Sequence, residues 1–231
     1  MGMFVNLLFD LDDTLLDFHA AEKVAIEKTM THFGISPTPE LTALYSKLNL
    51  MQWKLLEQGK ITRSEVKLRR FKLFFEQLGL SYTPQEAASF YEEALSKGHF
   101  FMPGAKEVLD RLYGKYKLYL VSNGLEHVQK GRLESAGICR YFEKIFLSEC
   151  IGYDKPDVRF FDECFKKIPD FSKEQTLIIG DSLSSDMTGG KNAGIFTVWF
   201  NPQNSENNSD VKPDMQIHSL DEIPSCFENL A

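Results

Sequence analysis

The sequence predicts an α/β protein: a parallel sheet flanked by helices, interrupted by one all-helical block. Two observations carry this. Short apolar runs bounded by turn residues recur along the chain, with the near-continuous apolar character of strands covered on both faces. Helix-period segments alternate with them, except across residues 16–98, where helical patterns follow one another without a convincing strand. Alternating strand and helix argue for parallel strands joined by right-handed crossovers.

The first strand is the apolar run from Phe4 to Phe9. The block after it reads as four helices. Ala21, Val24, Ala25, Lys28 and Phe33 mark the first, and Leu41, Leu44, Tyr45, Leu48 and Leu55 the second. Val66, Phe71, Phe74, Phe75 and Leu78 mark the third, and Ala87, Phe90, Tyr91, Ala94 and Leu95 the fourth. Breaks fall at Gly34–Pro39, Gly59–Thr62 and Gly79–Pro84, where turn chemistry is concentrated. The aromatic residues of the block read most simply as its hydrophobic core. The alternation then resumes: helix 105–113, strand 117–121, helix 125–136, strand 144–147, helix 156–167, strand 176–179, helix 184–193 and strand 195–200. Pro156 suits a first helical turn, and Asp157 beside it complements the helix dipole. The Asn- and Ser-rich stretch Asn201–Pro213 reads as a surface loop. The expected division is therefore residues 1–15 with 99–231 as the sheet core, and 16–98 as a helical insert.

Composition narrows the function. The 231 residues are 43% hydrophobic and 26% charged, as in ordinary globular proteins. A formal charge of −7 gives no electrostatic footprint for a nucleic-acid polymer. No apolar run approaches the roughly 20 residues of a membrane span, and the N-terminus lacks the pattern of a signal peptide. Cys139, Cys150, Cys164 and Cys226 show neither CxxC spacing nor a pairing pattern, so they read as thiols of a cytoplasmic protein. The five histidines are scattered without ligand spacing, and none is assigned to a metal.

In open α/β sheets, sites lie beyond the carboxyl ends of the strands. Asp10, Asp12, Asp13 and Thr14 follow the first expected strand, and Ser122-Asn123-Gly124 the second. Asp154-Lys155-Pro156 follows the third, and Gly180-Asp181 with Asp186 the fourth. Any one of these has an ordinary reading as a turn, a cap or a surface residue. Four successive strand ends supplying carboxylates, a hydroxyl and a lysine make a site. Crowded carboxylates repel, and Mg²⁺, which takes hard oxygen ligands, would relieve that. A phosphate could share the ion, met by Ser122, Lys155 and backbone N–H groups. A carboxylate can then attack phosphorus, while a second one, two residues on, serves as acid and base.

This pattern resembles the haloacid dehalogenase superfamily of phosphatases along the whole chain. Asp10-Leu11-Asp12-Asp13-Thr14 fits its DxDx(T/V) motif, Ser122 the second motif, Lys155 the third, and Gly180-Asp181 with Asp186 the GDxxxxD fourth. The resemblance implies a three-layer Rossmann-like core with an inserted helical cap. It implies Asp10 as nucleophile and Asp12 as acid/base. It also implies Mg²⁺ held by Asp10, the Asp12 carbonyl and Asp181, with Asp186 in support, and a phosphoryl group held by Ser122, Asn123 and Lys155. The cap stretch from Asn49 through Trp53 and Gln58-Gly59-Lys60-Ile61-Thr62 to Arg70-Phe71 is similar to bacterial pyrimidine 5′-nucleotidases. That similarity implies a pyrimidine nucleoside monophosphate such as UMP, dUMP or dTMP, with Phe18 and Trp53 as candidates to meet it. A sugar-phosphate phosphatase or phosphomutase of the same superfamily is the alternative. A receiver-like phospho-binding module is the alternative outside enzymes. The oligomeric state is not legible here.

Overall fold

The computed structural model describes residues 4–224. Of the four cysteines, Cys226 lies outside this range. The chain forms two compact units. Met1–Asp17, Phe100–Glu126 and Ala136–Ala231 make up one, and Phe18–His99 with His127–Ser135 the other. The segment 127–135, expected with the sheet core, clusters with the helical unit.

The sheet unit is built on β1 (Asn6–Phe9), β2 (Lys117–Ser122), β3 (Lys144–Leu147), β4 (Thr176–Gly180), β5 (Phe196–Phe200) and β6 (Met215–Ile217). They form one sheet in the order β3-β2-β1-β4-β5-β6, every pairing parallel. β1 is therefore central, paired Phe9 to Leu120 on one side and Phe9 to Ile179 on the other. Its four residues are buried, as are all five of β4, which is why both read as continuous apolar runs. Asn6 is the polar exception in β1, and its Nδ2 donates to Thr176 Oγ1 of β4 at 3.1 Å. One face of the sheet packs Leu8, Tyr119, Val121, Ile178 and Trp199 against Phe160, Phe161 and Phe165.

The described ladder begins at Asn6 rather than Phe4, since the Val5 and Asn6 amides both donate to the Gln175 carbonyl before regular pairing starts. β6 escaped the sequence reading. It is three residues long with a polar residue, Gln216, at its centre, and follows the Asn/Ser-rich loop with no apolar run to announce it. Pro156 does not open a helix. The Asp157 side chain accepts from the Arg159 N–H and caps the helix Val158–Phe165, so the proline stands outside the first turn.

The helical unit comprises α1 (Phe18–His32), α2 (Pro39–Glu57), α3 (Arg63–Leu78) and α4 (Pro84–Leu95). Their starts are set locally. The Thr38 hydroxyl caps α2, and Thr62 with Glu65 forms a reciprocal capping box on α3. Tyr45, Phe71, Phe74, Phe75 and Tyr91 fill the interior. A buried polar network crosses them: the Glu22 carboxylate accepts from Ser46 and Asn49, and Arg70 donates to Asn49 and to Glu92 at 3.2 Å. Continuing the numbering, the sheet unit also holds α5 (Ala105–Leu112), α7 (Ser148–Ile151), α8 (Val158–Phe165) and α9 (Thr188–Ala193), while most of α6 (Glu126–Ala136) belongs with the helical unit. No helix of the described residues is long and apolar enough to cross a membrane.

Candidate active site

The carboxyl edge of the sheet gathers the candidate residues from successive strand ends. Asp10 follows β1 directly, its N–H donating to the Ile179 carbonyl at 2.9 Å. Ser122 closes β2, Lys155 lies between α7 and α8, and Asp181 follows β4. Asp10 is 6% exposed, and Ser122, Lys155 and Asp186 are each 1% exposed. Ionisable groups this deep require partners.

Lys155 is the hub. Its Nζ donates to Asp10 Oδ1 at 2.6 Å, to Asp186 Oδ1 at 2.7 Å and to the Val121 carbonyl at 2.9 Å. An ammonium has three N–H donors, so all are engaged within the protein. Asn123 fixes the backbone beneath it: Asn123 Nδ2 donates to the Lys155 carbonyl and the Lys155 N–H donates to Asn123 Oδ1, both at 2.8 Å. Asn123 and Lys155, expected to face a phosphoryl group, thus also hold each other and the carboxylates in place. The Ser122 hydroxyl accepts from the Gly124 N–H at 3.0 Å, turning the chain towards α6.

Beyond β4, a π-helical turn, Leu183–Met187, carries Asp186 back over the strand end. Ser182 opens it, its Oγ accepting from the Ser185 N–H and its N–H donating to Asp186 Oδ2, both at 3.2 Å. A Cβ on Gly180 would stand 2.3 Å from Asp186 Oδ2, so the approach of Asp186 requires glycine there. Asp181 is held by the loop after β1 and by β5. Its N–H donates to Thr14 Oγ1 at 3.1 Å, the Thr14 hydroxyl donates to its Oδ1 at 3.4 Å, and Trp199 Nε1 donates to its carbonyl at 2.8 Å.

Carboxylate oxygens of Asp10, Asp181 and Asp186 lie within 4.8 Å of one another. Burial pushes the Asp10 carboxyl up to about 8; Lys155 opposes this, while Asp186 and Asp12 add to it. Burial, then repulsion from Asp10, Asp186 and Asp13, hold Asp181 well above the usual carboxylate range. For Lys155 burial disfavours the charge, but Asp10 and Asp186 outweigh it and keep the ammonium protonated beyond the ordinary lysine range. Once ionised, the three carboxylates would face one ammonium among the described residues, an excess of two negative charges. An all-oxygen donor set with that excess fits a hard divalent cation such as Mg²⁺.

Asp12 is half-buried in the loop after β1 and is not one of the three converging carboxylates, though it is close enough to push Asp10 up. Phe18 and Trp53 belong to the helical unit, half-buried in α1 and α2; the Arg132 guanidinium lies 5.8 Å from the Phe18 ring centroid. Sequence reasoning missed the hold of Thr14 and Trp199 on Asp181. Thr14 had a signal, as the last residue of the DxDxT run; Trp199 had none, because it arrives from another strand.

Comparison with known proteins agrees with this geometry. The family model for haloacid dehalogenase-like hydrolases matches residues 7–200. Pyrimidine 5′-nucleotidase PynA of Streptococcus pneumoniae is 38% identical over 96% of this chain and 94% of its own. Pyrimidine 5′-nucleotidase YjjG of Escherichia coli is 28% identical over 94% of this chain and 95% of its own. The crystal structure of YfnB from Bacillus subtilis, bound to magnesium and displaying interdomain movement, superposes with a TM-score of 0.93 at 38% identity, covering 97% of this chain and 98% of that one. With its six-stranded parallel sheet and its carboxylates at the strand ends, the chain belongs to the haloacid dehalogenase-like hydrolases.

Proposed function

We propose that this protein is a Mg²⁺-dependent phosphomonoesterase acting through an aspartyl-phosphate on Asp10, with pyrimidine nucleoside monophosphates as substrates. One observation carries the chemistry: buried Asp10 is paired with Lys155 at 2.6 Å inside a cluster short of positive charge. The nucleotide rests on the two nucleotidase relatives, which match nearly the whole chain.

In this reading Lys155 opposes the rise that burial imposes on the Asp10 carboxyl, a bound cation would oppose it further, and an ionised Asp10 oxygen attacks phosphorus in line. The bond to the nucleoside oxygen breaks as Asp12 donates a proton to it. Asp12, now a carboxylate, takes a proton from water, which attacks phosphorus, frees inorganic phosphate and returns Asp10. Bound Mg²⁺, held by Asp10, the Asp12 carbonyl and Asp181 with Asp186 in support, would supply charge neutralisation for the phosphoryl oxygens. Ser122, Asn123 and Lys155 line the phosphoryl side. Residues 1–15 with 99–231 act as the catalytic core, and the insert 16–98 acts as the cap that selects the leaving group, with Phe18 and Trp53 offering aromatic faces to a base. A cytoplasmic setting suits such a substrate.

The test is phosphate release from a panel of nucleoside monophosphates and sugar phosphates, with Mg²⁺ and with EDTA, for the native protein and Asp10→Asn. UMP, dUMP or dTMP should be turned over only with Mg²⁺, and Asp10→Asn should lower turnover by at least about 10³-fold while folding normally. Activity confined to sugar phosphates would keep the mechanism and remove the nucleotide. Near-native turnover by Asp10→Asn would remove Asp10 from the nucleophile's role.

A further inference from the structure

We propose that Trp199 is a positioning residue of the cation centre, fixing Asp181 through its backbone; this rests on reading Asp181 as a cation ligand. Gly180, the last residue of β4, pairs in register with Trp199 of β5. Asp181 comes one residue later, where the ladder has ended and its carbonyl needs another donor. The Trp199 indole supplies it at 2.8 Å, from a ring only 5% exposed.

The Asp181 N–H and Oδ1 are tied from the opposite side. Thr14, in the loop after β1, accepts the Asp181 N–H at 3.1 Å and donates to Oδ1 at 3.4 Å. The peptide before Asp181 is thus held by the loop after β1, and the peptide after it by β5. Those two peptides determine where the side chain projects. The indole also belongs to the apolar cluster containing Met187, at the end of the π turn that carries Asp186. One side chain therefore bonds the backbone of Asp181, upstream of the turn, and shares an apolar cluster with Met187, which ends it. A buried tryptophan commonly finds some acceptor for its N–H; here the acceptor is the backbone of a converging carboxylate.

Trp199→Phe keeps an aromatic ring while removing the donor and trimming the bicyclic indole, and the packing loss is controlled for on the same strand. The probe is Mg²⁺ alone, read as the rise in unfolding temperature of the purified full chain. The concentration giving half of the maximal rise should increase about fivefold in Trp199→Phe, with substrate KM and saturating-Mg²⁺ kcat within about twofold of native. Val198→Ala, on the same strand but one residue away from the indole, should leave that concentration unchanged. An unchanged midpoint in Trp199→Phe, or an equal shift in Val198→Ala, overturns the proposal and leaves Trp199 as core packing. No Mg²⁺-dependent rise in the native protein overturns both this proposal and the cation reading beneath it. If Trp199→Phe does not fold, the chain's two tryptophans provide the second measurement. In Trp53→Phe, Trp199 emission should change with Mg²⁺ at the midpoint of the thermal titration and revert with EDTA; emission indifferent to a stabilising Mg²⁺ concentration overturns the proposal.

Discussion

Asp13 adopts φ = +56°, in the left-handed region where a side chain is strained and glycine, asparagine or aspartate is favoured. Its N–H donates to the Leu16 carbonyl at 2.8 Å, closing the loop that carries Asp10 and Asp12. The third aspartate of the opening motif is thus fitted to its place by conformation. Asp13→Gly should keep native stability and Mg²⁺-dependent turnover within about twofold, whereas Asp13→Ala should lose about 1 kcal/mol. Urea unfolding alongside turnover checks both; equal losses would mean that the Asp13 carboxylate itself matters. The DLDDT run was visible in the sequence, and so was the charge problem that it poses. The positive φ was not, because it follows from how the loop closes.

Among the elements, the turn after β4 departs most from its sequence pattern. Periodicity predicts a continuous helix over 184–193, but the first stretch, Leu183–Met187, is a π-helical turn and only Thr188–Ala193 is α-helical. The wider turn brings Asp186 against Gly180 and within 2.7 Å of Lys155 Nζ. Such turns concentrate at functional sites, where the local misfit is offset by what it positions. Gly180→Ala should therefore displace Asp186, costing about 1–3 kcal/mol from overpacking. It should also lower turnover by about 10²-fold, since a shift near 1 Å has that effect on positioned groups. Retained activity would show that the turn can yield. The Trp199 titration belongs to this scale too, as it asks whether β5 holds the turn from below.

For the whole molecule, the cluster links stability to pH and cation. The Asp10 carboxyl, 3.8 in its ordinary state, is pushed up to about 8 by burial first. Between those values the folded protein keeps a proton that the unfolded chain has released. With more protons bound in the folded state, stability falls as pH rises across this window. The contribution is complete below about 4 and gone above about 8. A cation binding the ionised carboxylates must displace that proton, so its stabilising effect should grow with pH. The rise in unfolding temperature on adding Mg²⁺ should be clearly larger at pH 8 than at pH 5.5; equal rises would mean that the carboxylates are already ionised at the lower pH.

The sequence by itself determined the fold class, the four-helix insert, the order of the strands along the chain from β1 to β5, and the chemical inventory of the site. Each of these depends on signals within a few residues: apolar period, turn chemistry, and acidic or hydroxyl residues just past an apolar run. Tertiary structure alone decided which inventory members meet. Lys155 is bonded to Asp10, 145 positions away, and Asp181 to Thr14, 167 positions away. It also added β6, whose three residues are a strand only because β5 offers an open edge, and it gave Pro156 a place outside the helix it precedes. The reason is physical. Local periodicity reports which face of an element is buried, whereas the convergence of three carboxylates on one ammonium is a property of the assembled edge, and it is desolvation and mutual repulsion there that raise the affinity of Asp10 and Asp181 for protons.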